Sequence, residues 1–417
     1  MAWLAQPLLR RKLARRARVE PGYAEAVDER FGHYSQPADS GRVWLHAVSL
    51  GETRAAAILL AELRRRDPHL RLLLTHGTAT GRAEGRKLLH PGDVQVWQPW
   101  DTPGAVGRFL AQFRPRVGLL METEVWPNLT AACAAQGVPL VLVNARLSDK
   151  SLRQALRMAV LARPAYQGLH AVLAQTEADA QRLRRLGARV QGVYGNLKFD
   201  ATPHPGQLAQ GGRWRAACAR PVALFASSRE GEEADLLRLL AEDKTLHALQ
   251  WLIVPRHPQR FDEVAALIAQ HGFAVQRRSA WDDGGPPPAD GTARPVIWLG
   301  DSLGEMALYY ALAGVALLGG SFAPLGGQNL IEAAACGCPV IMGPHTFNFA
   351  EAAELSAAAG AALAVADLAA ACRAACALVQ TPSRSAAMVA QTRAFAVAHR
   401  GAARQTAAAV AGLLAAP

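Results

Sequence analysis

The chain has 417 residues, 51% hydrophobic and 19% charged, so a large core is available and global disorder is excluded. At roughly 150 residues per domain, this length implies two or three domains. Forty-five basic residues against 34 acidic ones leave a net charge of +11, which favours an anionic partner such as nucleic acid, an anionic membrane or a phosphorylated substrate. The six cysteines do not make a disulfide framework in so long a chain and read as reduced, small apolar fillers. No run of about 18 apolar residues marks a spanning helix.

The N-terminus places a short apolar stretch, residues 1–9, before Arg10, Arg11, Lys12, Arg15, Arg16 and Arg18. A signal peptide has the opposite order. The stretch reads as an interfacial basic helix that holds anionic headgroups, or more plainly as a solvated arm. Short apolar runs then alternate with longer Ala/Leu/Arg-rich ones. Residues 43–48, 71–75, 117–121, 139–144 and 171–175 are predicted strands, and 53–66 and 177–186 are predicted helices between them. This βαβ rhythm means a parallel sheet covered on both faces. A Pro/Gly/Gln-rich stretch, 202–212, reads as a linker. A second alternation follows, with strands at 221–227, 250–254, 296–299, 315–318 and 339–342, an exposed loop at 284–288, and an Ala-rich helical tail from Ser383.

The two halves echo each other: a strand, a Ser (Ser49; Ser228), then Gly-Glu (Gly51-Glu52; Gly231-Glu232) leading into a helix. Two doubly wound domains would bring the carboxyl ends of both sheets to one cleft, where ligands bind in such folds. This is the architecture of one large glycosyltransferase class and of some sugar-nucleotide epimerases.

Four motifs sit at strand ends. At Ser49-Leu50-Gly51-Glu52, Gly permits a tight turn and Glu52 lies in the first helical turn, either as a dipole-complementing carboxylate or as a general base. Glu122 and Glu124 follow a strand and precede Trp126-Pro127; capping explains one acid less awkwardly than two, and carboxylates with an aromatic suit a sugar surface. Pro255-Arg256 follows another strand, where Arg256 can present a planar fork to phosphate or remain a surface residue. The longest signal runs from Gly319 to Glu332, a glycine-rich loop entering a helix near Gln328, whose N–H groups can form an anion site with Glu332 gripping ribose hydroxyls. It is neither a Walker loop nor a GxGxxG fingerprint. The segments 300–305 and 144–148 could line a base or acceptor, and each could equally be a capped loop. His345 is more often structural than catalytic. No metal-ligand spacing or nucleophile elbow appears, so no metal and no cofactor are expected. No aromatic-interleaved basic stripe favours nucleic acid.

Taken together, these motifs resemble the bacterial Kdo transferases, which move 3-deoxy-D-manno-octulosonic acid (Kdo) from CMP-Kdo onto lipid A precursors. The resemblance runs from Glu20-Pro21-Gly22-Tyr23 to the segment around His345, with six motifs in order. It implies an α/β fold of two Rossmann-like domains facing across a cleft (GT-B type), with a C-terminal helix able to return to the N-terminal domain. The expected division is a basic membrane-proximal arm (1–19), an acceptor-binding domain (20–201), a linker (202–212), a CMP-Kdo-binding domain (213–390) and a C-terminal helix (391–417). The resemblance further implies an inverting, metal-independent transferase with Glu52 as base. Nucleotide contacts would come from Pro255, Arg256, Leu303, Gly304, Glu305, Asn329, Leu330, Ile331 and Glu332. Further donor or acceptor contacts are expected from Ser49, Gly51, Glu122, Glu124, Arg146, Ser228, Gly326 and Gly327. Implied partners are CMP-Kdo, a lipid A precursor and an anionic membrane surface, at the cytoplasmic face of the bacterial inner membrane.

The chain departs from the family pattern at Ser228-Arg229, where Thr-His is usual, and at Gln328, where His is usual. Its opening apolar segment is also shorter than usual, which implies peripheral binding through the basic arm or a start lying upstream. The alternatives are a sugar-nucleotide epimerase of the same fold, another lipid-directed glycosyltransferase, or a non-enzymatic binder of anionic lipid.

Overall fold

The computed structural model describes residues 6–287 and 295–415. Residues 1–5 of the apolar opening, and residue 288 at the end of the expected 284–288 loop, lie outside the described residues. The chain forms two compact units, one comprising residues 1–200 and 400–417, the other residues 201–399.

The first unit is built on a seven-stranded parallel sheet: β1 (Val43–His46), β2 (Leu72–His76), β3 (Val94–Trp97), β4 (Val117–Met121), β5 (Leu140–Ala145), β6 (Ala171–Ala174) and β7 (Val190–Val193). Their order is β3-β2-β1-β4-β5-β6-β7. The order reverses between β1 and β4, which are adjacent with Val43 opposite Val117 and His46 opposite Leu120. Ligands of doubly wound sheets bind at such a reversal, outside the strand carboxyl ends. Alternate residues of β1 serve two cores. Val43 and Leu45 join the cluster under helix Leu50–Arg66, while Trp44 joins the cluster of Phe109, Phe113, Leu129 and Cys133 on the other face.

The second unit contains β8 (Val222–Ser228), β9 (Gln250–Pro255), β10 (Ala274–Arg277), β11 (Val296–Leu299), β12 (Val315–Leu318), β13 (Val340–Met342) and β14 (Ala362–Ala364). Their order is β10-β11-β9-β8-β12-β13-β14, all parallel, with the reversal between β8 and β12.

The structure redraws two expected segments. Residues 202–212 do not form an extended linker, because helix Pro205–Ala217 begins there, capped by His204 and buried through Trp214. The expected single C-terminal helix is two: Pro382–Ala398 stays with the second unit, and Ala402–Ala415 belongs to the first. The latter lays Ala402, Ala403, Ala407 and Val410 into the cluster of Ala55, Ala56, Leu59 and Leu60. Small alanine side chains let two helices approach closely. Asp200 fixes the start of this helix, accepting from Gly401 N at 2.5 Å and Ala403 N at 2.6 Å.

At the N-terminus, helix Gln6–Ala17 is basic and buries Leu13. Arg10 pairs with Asp28 at 2.5 Å and lies over the Phe31 ring, and Arg16 lies over Tyr23. All six cysteines are free; burial pushes the Cys338 thiol up to about 12.

Candidate active site

In the first unit, the site residues gather at the carboxyl ends of β1 and β4. Ser49 is extended and caps helix Leu50–Arg66, its Oγ accepting from Glu52 N at 3.3 Å. The Glu52 carboxylate turns back over the cap. Its Oε2 accepts from Val48 N at 2.8 Å, and its Oε1 accepts from Ser49 Oγ at 3.1 Å. This is a capping box shifted by one residue, since the reciprocal bond ends on Val48 rather than on the cap residue. The helix-terminal reading of Glu52 is therefore part of the structure. Capping does not account for its charge state, however. Burial raises its proton affinity, the Val48 N–H lowers it, and the neighbouring Glu122 and Glu124 raise it further, for a net rise above the ordinary value. A half-buried carboxylate fixed at a helix start, with its basicity raised, is suited to proton abstraction.

Glu122 adopts a left-handed backbone with φ of 55° and is 2% exposed. Its carboxylate is held by Arg146 Nε at 2.7 Å and Lys198 Nζ at 3.1 Å. Such strain in a non-glycine residue costs about 1–3 kcal/mol and persists where surrounding contacts over-determine it. Arg146 therefore reaches the acid cluster by anchoring Glu122. Asn144, also left-handed at φ of 52°, accepts from Leu197 N at 3.0 Å and so ties the end of β5 to the segment bearing Lys198. Glu124 accepts from Trp126 Nε1 at 3.0 Å, and Gly51 is exposed beside the cap. Sequence reasoning missed Lys198 and His46; the signal available for His46 was its place at the last position of a buried strand.

In the second unit, Pro255 is buried at the end of β9 and Arg256 is exposed. Arg256 N donates to Ser228 O at 3.0 Å, and its Nε donates to Gln328 Oε1 at 3.2 Å. Gln328, at a position where the resemblance led one to expect His, thus links Arg256 to the glycine-rich loop. Asn329 caps the following helix, Leu330–Ala335, accepting from Ile331 N at 3.2 Å. Leu330 and Ile331 are buried, so they can offer a ligand backbone groups rather than side chains; Glu332 is half-buried. Glu305 accepts from Arg278 Nη2 at 2.9 Å and from Ser302 Oγ. Leu303 is exposed, and Gly304, at φ of 79°, accepts through its carbonyl from Gln207.

Two expectations change here. Ser228 is fully buried and donates to Glu233 Oε1 at 2.8 Å, which Arg260 also holds at 2.8 Å. Its hydroxyl is committed within the domain and does not face a sugar. The glycine-rich loop does bind an anion, but that anion is Glu232. This 3%-exposed carboxylate accepts from Gly320 N at 2.8 and 2.9 Å, from Arg229 N at 2.9 Å, and more weakly from Phe322 N and Ala323 N. The Gly320, Phe322 and Ala323 N–H groups expected to cradle phosphate are therefore already used. Loop geometry explains the glycines. A Cβ on Gly319 would sit 2.3 Å from Ser227 O, and one on Gly326, at φ of 90°, would sit 2.4 Å from Asn348 Nδ2. Gly327, at φ of 72°, closes the turn by donating to Gly320 O at 2.8 Å.

Solved structures of related shape include a UDP-GlcNAc 2-epimerase from Neisseria meningitidis, with a TM-score of 0.58, 15% identity, and coverage of 89% of this chain and all of the other. A glycosyltransferase from Rickettsia africae also has a TM-score of 0.58, with 14% identity over 90% of this chain and all of the other. Two parallel seven-stranded α/β sheets and these neighbours define the fold as GT-B, the architecture of a large glycosyltransferase class. The sequence profile of the 3-deoxy-D-manno-octulosonic-acid transferase (kdotransferase) family matches residues 25–201. The 3-deoxy-D-manno-octulosonic acid transferase of Bordetella pertussis is 49% identical over 413 residues, 96% of this chain and 95% of that protein. That of Haemophilus influenzae is 32% identical over 359 residues, 84% of this chain and 82% of that protein. The chain belongs to the Kdo transferase family and is a glycosyltransferase.

Proposed function

We propose that the protein transfers Kdo from CMP-Kdo to a phosphorylated lipid A precursor by a single inverting displacement. Glu52 takes the proton of the attacking acceptor hydroxyl as that oxygen bonds to the anomeric carbon of Kdo. CMP departs from the opposite face with the bonding electron pair. The logic is that of the base in inverting glycosidases, with a sugar hydroxyl in place of water. The observation that carries this reading is the Glu52 carboxylate, fixed by Val48 and Ser49 at the β1/β4 reversal with its proton affinity raised. The second unit would hold the nucleotide through Arg256, the Leu303–Glu305 turn and the helix start at 329–332, stabilising the leaving phosphate. No metal or cofactor enters this scheme.

The acceptor is a lipid, and the first unit offers a surface suited to one. Met158, Val160 and Leu161 are 55%, 89% and 56% exposed at the junction of two helices, among exposed Lys150, Arg153, Arg157 and Arg163. Exposed apolar groups in a segment rich in exposed lysine and arginine suit an anionic bilayer. Among the described residues, no helix is long and apolar enough to cross a membrane. We place the protein peripherally on the cytoplasmic face of the inner membrane, with helix Gln6–Ala17 and this junction against the lipid.

The test is product analysis by mass spectrometry, with freshly generated CMP-Kdo, a tetraacylated lipid A precursor and EDTA. A mass gain of one or more Kdo units is expected. No gain by folded protein that binds CMP would reject this donor–acceptor pair. A gain that appears only when EDTA is left out would reject metal independence.

A further inference from the structure

His46 is the last residue of β1, 1% exposed, with its Nε2 buried and without a hydrogen-bond partner. An orphaned polar atom at such depth is costly and calls for a reason. Its other nitrogen indicates what Nε2 carries. Nδ1 lies 2.9 Å from Thr75 Oγ1, and that hydroxyl already accepts from Trp44 Nε1 at 2.8 Å. Thr75 is fully buried and its hydroxyl meets no other acceptor among the described residues, so its proton goes to Nδ1, which makes Nδ1 the acceptor and puts the ring proton on Nε2. Nε2 faces Glu124 Oε2 at 3.8 Å. The opposite tautomer, with Nδ1 donating to Thr75 O at 3.2 Å, would turn a lone pair toward the carboxylate.

Glu124 Oε2 is also held by Trp126 Nε1, while Oε1 accepts no hydrogen bond among the described residues. One edge of the carboxylate is thus fixed and the other is presented. We infer that His46 is a positioning residue: through Nε2–H it orients Glu124 so that Oε1 receives an acceptor hydroxyl beside Glu52. This rests on the transferase reading above. The present 3.8 Å is too long for a hydrogen bond, and a small rotation of Glu124 closes it, as happens when catalytic hydrogen bonds tighten around substrate.

The test uses the full chain with CMP-Kdo and the lipid acceptor, varying one substrate at a time. His46→Leu should lower kcat/KM for the acceptor by about tenfold to a hundredfold, the range for an oriented bond to a charged group. The KM for CMP-Kdo should stay near wild type. His46→Gln, whose amide can donate from near the Nε2 position, should recover most of the loss, which a purely structural role would not predict. If His46→Leu does not fold, Thr75→Val removes the hydroxyl that sets the tautomer and should give a smaller loss of the same kind. A folded His46→Leu or Thr75→Val protein with wild-type acceptor kcat/KM overturns the inference. So does a loss shared equally by donor and acceptor that Gln does not rescue. Wild-type protein that transfers no sugar overturns the functional reading first, and this inference with it.

Discussion

Replacing Glu232 by Ala removes the acceptor around which the glycine-rich loop is folded. Gly320 N and Arg229 N lose bonds of 2.8–2.9 Å, while Phe322 N and Ala323 N lose longer ones of 3.3–3.4 Å. Each well-made N–H left unsatisfied in the interior costs about 1–3 kcal/mol. The loss is partly offset because a buried carboxylate no longer has to be accommodated. The net cost for the two strong bonds is about 2–4 kcal/mol, or about 5–15 °C in the melting transition of a unit this size.

Differential scanning calorimetry on the full chain measures this, and the sign of its pH dependence gives a second reading. Burial raises the Glu232 carboxyl above its ordinary range, outweighing the N–H groups that lower it. The native state therefore binds this proton more tightly than the unfolded chain does. The stability so contributed is full below the ordinary carboxylate range and is lost as pH rises through the raised value. Gln imitates the protonated form, so the deficit of Glu232→Gln relative to wild type should shrink as pH rises above the ordinary carboxylate range. A Glu232→Ala protein that melts with the wild type, or a Gln deficit that grows with pH, would refute the reasoning.

Glu52→Gln should leave the fold intact and reduce turnover by about 10²–10⁴. In the wild type, the acid limb of kcat/KM should lie above the ordinary carboxylate range, because burial, Glu122 and Glu124 raise Glu52; a limb at or below that range contradicts the assignment. Gly118→Ala should destabilise the first unit by about 1–3 kcal/mol in chemical denaturation, since a Cβ would lie 2.6 Å from Leu140 Cδ1 and 2.7 Å from the Trp44 ring. Sedimentation with anionic vesicles should show binding that weakens as salt rises. Serines at Met158, Val160 and Leu161 should reduce that binding at every salt concentration, and unchanged binding would remove this junction from the membrane surface.

The ten strands anticipated from the sequence are the ten interior strands of the two sheets, with boundaries within two residues. The four missed ones, β3, β7, β10 and β14, are the four edges. Interior strands of a parallel sheet are buried on both faces and read as continuous apolar runs. Edge strands are not: β10 is Ala-Val-Gln-Arg and only half-buried throughout, and β7 alternates half-buried with exposed. Helix Pro205–Ala217 resembles a linker in sequence because Pro and Gly are frequent in its first turns. Pro at a helix start is compatible with helix, however, and Trp214 supplies the buried anchor.

The positions of Glu52, Glu122, Glu124 and Arg256 were legible because each follows an apolar strand, and the parallel topology sends every such end toward one side of its sheet. What those side chains do there was not legible. The glycine-rich segment announced an anion site, yet Glu232, distant in sequence from Gly320, fills it. Ser228 lies in the matching motif of the second half, yet it is buried against Glu233. Lys198 reaches Glu122, and His46 reaches Glu124, through the lateral order of strands and the return of a later segment. A sequence fixes local pattern: where apolar runs begin and end, and which polar residues stand at those ends. Which buried donors meet which acceptors depends on strand order and side-chain direction, because a buried polar group must find its partner in space rather than along the chain.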